Sequence, residues 1–179
     1  PELAILSTEA KNRALFLMAN MLESRRGYII QENQKDLEKA REKGLSSAMI
    51  DRLELNPKRM DGMIKSIHDI IHLQDPVGSI IDQWRLPNGL EVGQIRVPIG
   101  VIGIIYESRP NVTCEAATLC FKSGNAVILR GGSESIHSNL AIAGALQDAL
   151  KEARLAQDMI GFIKITDRQA VAELLKLDS

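Results

Sequence analysis

Apolar residues follow one spacing in the first part of the chain and another in the second. From Thr8 to Arg26 they fall at Ala14, Leu15, Leu17, Met18, Met21 and Leu22, the spacing of one helix face, with Ser7 or Thr8 as N-cap. Gly27 is expected to interrupt that helix. The stretch Tyr28 to Lys43 alternates in charge, and Glu38 and Glu42 stand one turn from Lys35, Lys39 or Arg41. Such pairs support a solvated helix by a few tenths of a kcal/mol each. Gly44 suits the position just past a helix end. Ser46 or Ser47 opens a short helix to Leu53. Asn56-Pro57 is an N-cap followed by proline, and it predicts a helix carrying Met60, Ile64, Ile67 and Ile71 on one face.

The turn Asp75-Pro76-Val77-Gly78 ends this pattern. Ser79–Arg85 and Leu90–Val97 are predicted strands, joined through Asn88-Gly89 into a hairpin with at least one exposed side. A lone hairpin is marginal in water, so it is expected to pack on something else. Short runs rich in branched residues follow at Val101–Ile105 and Ala126–Leu129, as in strands buried on both faces of a parallel sheet. With helices at Thr113–Lys122, Ser133 to about Arg154 and Arg168–Leu177, and a strand at Gly161–Ile165, the order is β-α-β-α-β-α. The predicted fold is therefore α/β: helices over 1–78, a hairpin over 79–97, and over 98–179 a partial, Rossmann-like parallel sheet. Three strands leave a raw edge, so the chain is expected to be part of a larger domain.

A net charge of −1 gives no electrostatic case for nucleic acid or an anionic membrane. No apolar run approaches the roughly 18 residues of a membrane span, and the N-terminus lacks a signal-peptide layout, so a cytoplasmic protein is expected. Cys114 and Cys120 share a predicted helix and lie roughly 9 Å apart along its axis. A disulfide tolerates about 7 Å between Cα atoms, so both are read as buried small hydrophobes. His68 and His72 are spaced four apart, but no third metal ligand accompanies them.

In an open α/β sheet, ligands gather at the carboxyl ends of strands. Two polar segments stand there. Arg130-Gly131-Gly132-Ser133-Glu134 offers close backbone approach, a cation and free N–H groups at a helix start, which suits a phosphate or nucleotide. It reads equally well as a tight turn with Ser133 as N-cap. Glu107-Ser108-Arg109-Pro110-Asn111 offers an arginine for an anion, and hydrogen-bond donors for a carbonyl in Ser108 and Asn111. The plainer reading is an Arg109–Glu107 surface pair, with Asn111 or Thr113 as N-cap. No histidine stands near Ser108 to activate it as a nucleophile. The glycines of Gly100-Val101-Ile102-Gly103 do not open a helix, so they are not a dinucleotide fingerprint.

The run from Val97 to Thr113, with Lys122 to Asn139, resembles the gamma-glutamyl phosphate reductases of the aldehyde dehydrogenase superfamily, and the resemblance extends over the whole chain. It implies reduction of L-glutamyl 5-phosphate by NADPH to glutamate 5-semialdehyde and phosphate, in proline biosynthesis, through a cysteine thioester. It places Ile104, Ile105, Tyr106, Glu107, Ser108, Arg130, Gly131, Gly132 and Ser133 along the cofactor, and assigns Arg109 and Asn111 to the substrate. Ser108 stands where relatives have an oxyanion-holding asparagine, and Arg130 where they have a ribose-binding lysine. Ser133 replaces a glutamate that NAD-using relatives aim at the ribose hydroxyls, which favours NADPH. The family's catalytic cysteine matches neither Cys114 nor Cys120, so no catalytic residue is expected in this chain beyond the oxyanion contact of Ser108. The hairpin resembles strands that mediate homo-oligomer formation in the full-length enzyme, and an association with glutamate 5-kinase is a further implication. The alternatives are a non-catalytic nucleotide-binding module and an α/β domain whose glycine turn binds nothing.

Overall fold

The computed structural model describes residues 2–165 together with Asp167, Leu175 and Lys176. After a 3-10 turn, Glu2–Ile5, come α1 (Thr8–Ser24) and α2 (Arg26–Glu42). Ser7 caps α1 by accepting the N–H of Ala10 at 3.2 Å. The break between the helices is at Arg25, and Gly27 lies inside α2, contrary to the sequence expectation. Leu22 before the break and Ile29 after it are both fully buried. Packing on the core thus decides where the axis turns, and it overrides the roughly 1 kcal/mol preference against helical glycine. Within α2 the pair formed among the described residues is Glu32–Lys35 at 2.5 Å, not one from Glu38 or Glu42. Gly44 adopts a φ of +68° past the helix end. Ser46 caps α3 (Ser47–Leu53), and the Asn56 side chain caps α4 (Pro57–His72) at 2.9 Å. α4 buries Met60, Met63, Ile67 and Ile70, while Ile64 and Ile71 sit at the margin of that face.

Strands β1 (Ile80–Arg85) and β2 (Glu91–Ile95) form an antiparallel ribbon with a bulge between Ile80 and Asp82. It is exposed almost throughout, Trp84 included. Then follow β3 (Val101–Ile105), α5 (Asn111–Lys122), β4 (Ala126–Arg130), α6 (Ile136–Glu152) and β5 (Ile160–Phe162). The strands form a parallel sheet ordered β3-β4-β5. β5 begins at Ile160, directly after a 3-10 turn over Gln157–Met159, and ends at Phe162 rather than Ile165, at its last register partner on β4. The helix expected at 168–177 falls outside the described residues, apart from Leu175 and Lys176.

α5 and α6 lie against the sheet, and α1, α2 and α4 pack over them. Val127, Leu129 and Ile160 point into this layer with Phe121, Ile142, Leu146, Leu15 and Ile67. The opposite face is open among the described residues: Val101 is 64% exposed and Ile105 is 43% exposed. The strands were expected to be buried on both faces, but only alternate residues are, because the described helices all cover one side.

Two buried polar clusters tie the helices together. The Lys11 side chain is fully buried and pairs with Asp75 at 2.6 Å. Asp75 also accepts from Thr8 Oγ1 and the Val77 N–H, so the base of the hairpin is fastened to α1. Beside it, Lys122 Nζ donates to Asn12 Oδ1 at 2.6 Å and to the Ile71 carbonyl at 3.0 Å. In the second cluster, Asn33 donates to the Leu53 carbonyl and to Ser138 Oγ, and accepts the Leu55 N–H at 2.7 Å. Asp36, one turn along α2, binds the start of α6.

Candidate functional site

Parallel pairing sets Ile104 opposite Leu129 and Ile105 opposite Arg130. The ladder continues beyond the strands: the Tyr106 N–H donates to the Arg130 carbonyl at 3.0 Å, and the Gly132 N–H to the Glu107 carbonyl at 3.5 Å. The two segments singled out in the sequence therefore adjoin. Register partners share a face, so Ile105 and the half-buried Arg130 stand together on the open side of the sheet. Ile104 points the other way, into the core.

Tyr106 also turns inward. Its hydroxyl lies 2.6 Å from Thr113 Oγ1, which donates to Asn139 Oδ1 at 2.9 Å. Asn139 Nδ2 donates to Ser135 Oγ, and Ser135 Oγ reaches the Gly132 carbonyl at 3.4 Å. Burial pushes the Tyr106 hydroxyl up to about 12, against the opposing bond to Thr113. This chain of side chains joins both strand ends to α5 and α6. Periodicity gave no sign of it, because its members come from four separate elements. It also explains a glycine: a Cβ on Gly131 would collide with the Asn139 amide and lie 3.1 Å from the Tyr106 ring. A Cβ on Gly132 would lie 2.8 Å from Glu134 Oε2 and 3.4 Å from the Glu107 carbonyl carbon. Internal neighbours already fill the space the glycines leave.

Two N–H groups at the helix start are already taken, those of His137 and Ser138. A 3-10 turn, Ser133–Ser135, intervenes before α6. Ser133 therefore does not cap α6, and its hydroxyl donates to Glu134 Oε1 at 3.0 Å. The cap comes from α2. Asp36, 1% exposed, accepts the His137 N–H at 3.2 Å, the Ser138 N–H at 2.8 Å and Ser138 Oγ at 2.6 Å. An internal carboxylate thus holds the position where an anion would bind.

The second segment opens onto a different region. Pro110 occupies the N-cap position of α5. Asn111 is the first helical residue and donates to Glu115 at 2.9 Å, while Thr113 is buried in the polar chain, so neither is the cap expected from sequence. Proline has no N–H to lose and already holds a helical φ, which suits a helix start. Glu107 and Arg109 do not form the surface pair that sequence allowed among the described residues. Instead Glu107, half-buried Ser108 and Arg109 line a cavity of about 140 Å³ with Met49 and Arg52 of α3. A wider cleft of about 730 Å³ lies beside it between α3, α4 and the start of α5, bordered by Arg59, Asn111 and Glu115. Nothing in the sequence pattern joined α3 to this site, since the two are separated by more than fifty residues.

Cys114 and Cys120 are both free and buried. Burial, with the Glu115 charge adding to it, pushes the Cys114 thiol above its ordinary range, and burial also raises Cys120. Neither suits a nucleophile, which works as the thiolate. His68 stacks edge-on against Phe16, with centroids 6.2 Å apart, and His72 Nδ1 lies 2.7 Å from the His68 carbonyl. Among the described residues no cluster of His, Cys, Asp and Glu could hold a metal, and no helix is long and apolar enough to cross a membrane.

No family model matches the chain. Curated relatives do. A gamma-glutamyl phosphate reductase of Aquifex aeolicus is 52% identical over 177 residues, which cover 99% of this chain and 41% of that protein. The crystal structure of gamma-glutamyl phosphate reductase from Thermotoga maritima superposes with a TM-score of 0.96 at 48% identity, covering 98% of this chain and 42% of that one. An acetylating aldehyde dehydrogenase from Geobacillus thermoglucosidasius shares the fold, with a TM-score of 0.75 at 18% identity over 99% of this chain and 36% of that one. The chain is thus homologous over nearly its whole length to gamma-glutamyl phosphate reductases, and corresponds to their N-terminal portion. It spans about two fifths of the length of the curated relatives it matches.

Proposed function

We propose that this chain is the cofactor-holding portion of an enzyme that reduces L-glutamyl 5-phosphate to L-glutamate 5-semialdehyde and phosphate, as in proline biosynthesis. The observation that carries the reading is the pairing of the Ile105–Ser108 and Arg130–Gly132 segments at the carboxyl ends of β3 and β4, within a chain about half identical to named reductases. The overall step displaces phosphate from the acyl carbon by a cysteine thiolate, giving a thioester, and hydride then releases the aldehyde and the thiol. The buried Cys114 and Cys120 do not supply that thiolate, so it belongs to a part of the enzyme outside this chain.

The strand ends fit a nicotinamide dinucleotide in part. Ile105 and Arg130 present an apolar surface and a cation side by side on the open face, but two N–H groups at the start of α6 are already taken by Asp36. Bound there, NADPH supplies the hydride. Arg130 would hold the cofactor's ribose or its 2′-phosphate by charge-assisted bonds. Ser133, standing where a carboxylate would meet the ribose hydroxyls, supports a preference for the phosphorylated cofactor, while its hydroxyl donates to Glu134 Oε1. Ser108 would donate to a developing oxyanion. The exposed hairpin, with Trp84, Ile81 and Ile95 uncovered, supports self-association of the full-length enzyme.

Arg130→Ala in the full-length protein is expected to raise both the Kd for NADPH, read from nicotinamide fluorescence, and the KM for NADP⁺ by about tenfold or more, the loss of one charge-assisted hydrogen bond. Unchanged constants would remove Arg130 from the cofactor site.

A further inference from the structure

The small cavity beneath Ser108 and the wide cleft beside it share two lining residues, Arg52 and Arg109. A ligand reaching from the cleft towards Ser108 passes both. Among the described residues neither arginine makes an ion pair or a side-chain hydrogen bond, and the acids near them are occupied. Asp51 is held by Arg59, whose guanidinium also binds the Asp51 and Glu54 carbonyls at the end of α3. Glu115 accepts from Asn111 at 2.9 Å. Met49 and Val112 give the cavity apolar walls, which strengthen a charge interaction by excluding water. Among the described residues, Glu107 is the one acid lining the same cavity.

We propose that Arg52, projecting from α3, joins Arg109 as a two-arginine clamp for an anionic group of the substrate, and so is a specificity-determining residue. Guanidinium groups match the paired oxygens of carboxylate or phosphate, and two of them at one opening select a ligand carrying such a group. Only the ligand's identity rests on the reductase reading: glutamyl phosphate carries both a carboxylate and a phosphoryl group, and the clamp chemistry serves either. Arg59 fixes the end of α3 by its bonds to Asp51 and Glu54, and thereby sets the position of Arg52.

The test uses full-length protein with R52A and R52K. Isothermal titration with inorganic phosphate and, separately, with L-glutamate reads anion binding directly. Steady-state oxidation of glutamate semialdehyde reads the KM for phosphate, semialdehyde and NADP⁺. R52A is expected to weaken one of the two anions about tenfold or more and raise the matching KM, with the NADP⁺ constant unchanged. Phosphate as the affected ligand assigns the clamp to the phosphoryl end; glutamate and semialdehyde assign it to the amino-acid end. R52K, which keeps the charge but loses the fork, is expected to recover only part of the affinity. Active enzyme in which R52A moves neither anion overturns the clamp and leaves the reductase reading intact. Absent activity with anion binding lost in R52A does the reverse. Wild-type protein that binds neither anion also overturns the clamp.

Discussion

Replacing Asp36 with alanine lowers stability by about 3–5 kcal/mol, the range for removing one partner from a buried charged network. The carboxylate is 1% exposed and accepts three hydrogen bonds, two from backbone N–H groups and one from Ser138 Oγ. Alanine leaves these donors unsatisfied in the interior, at about 1–3 kcal/mol each before relaxation, and deletes the side-chain cap that Asp36 gives α6. Asp36→Asn keeps an acceptor and should lose much less. The defect lies beside the site, because Asn139, one turn into α6, carries the link to Thr113 and Ser135. In the full-length protein, amide exchange at His137 and Ser138 should speed up by about 100-fold or more, with a thermal midpoint about 10 °C lower. Exchange and midpoint close to the wild type would show that α6 does not depend on this cap.

Asp75→Ala is expected to be comparably damaging, at about 3–5 kcal/mol, for the opposite reason: it strands a cation. Lys11 has no exposed side-chain surface and pairs with Asp75 at 2.6 Å. Burial alone would raise the Asp75 carboxyl. Hydrogen bonds from Lys11, the Val77 N–H and Thr8, with the charge of Lys11, outweigh it and hold the group below its ordinary 3.8. The folded value is thus depressed relative to the unfolded chain. The stabilisation is present above about pH 4 and is lost as pH falls through the folded value. Burial also pulls the neighbouring Lys122 ammonium down, the Asp75 charge opposes that, and Lys11 adds to it. Loss of Asp75 therefore weakens the Lys122 bonds to Asn12 and Ile71 as well. Thermal midpoints across pH 2–7 should fall steeply at the acid end in the wild type and less steeply in Asp75→Asn. An equal acid slope in both would remove this pair as its source.

The elements with local chemical signatures were legible in the sequence. Asn56-Pro57, Ser46, Gly44 and the Asn88-Gly89 turn act through bonds within four residues, and each appears where its chemistry predicts. The βαβ order was legible too, because short branched runs between helical stretches admit few topologies. What sequence missed depends on distant partners. Gly27 marked a break that the burial of Leu22 and Ile29 moved to Arg25. Ser133, Asn111 and Thr113 all had capping chemistry, but Asp36 and Pro110 took those positions, and Thr113 was drawn into the interior by Tyr106 and Asn139. The pairing of the two site segments followed from strand order. The approach of Arg52 to Ser108 and Arg109 did not, since it depends on how α3 packs rather than on any spacing in the chain.

The phosphate dependence of the reverse direction tests the proposed reaction most directly. Full-length protein should reduce NADP⁺ with glutamate 5-semialdehyde only when phosphate is present, because the acyl group must leave as an acyl phosphate. Equal rates with and without phosphate, or no turnover with phosphate present, would contradict it.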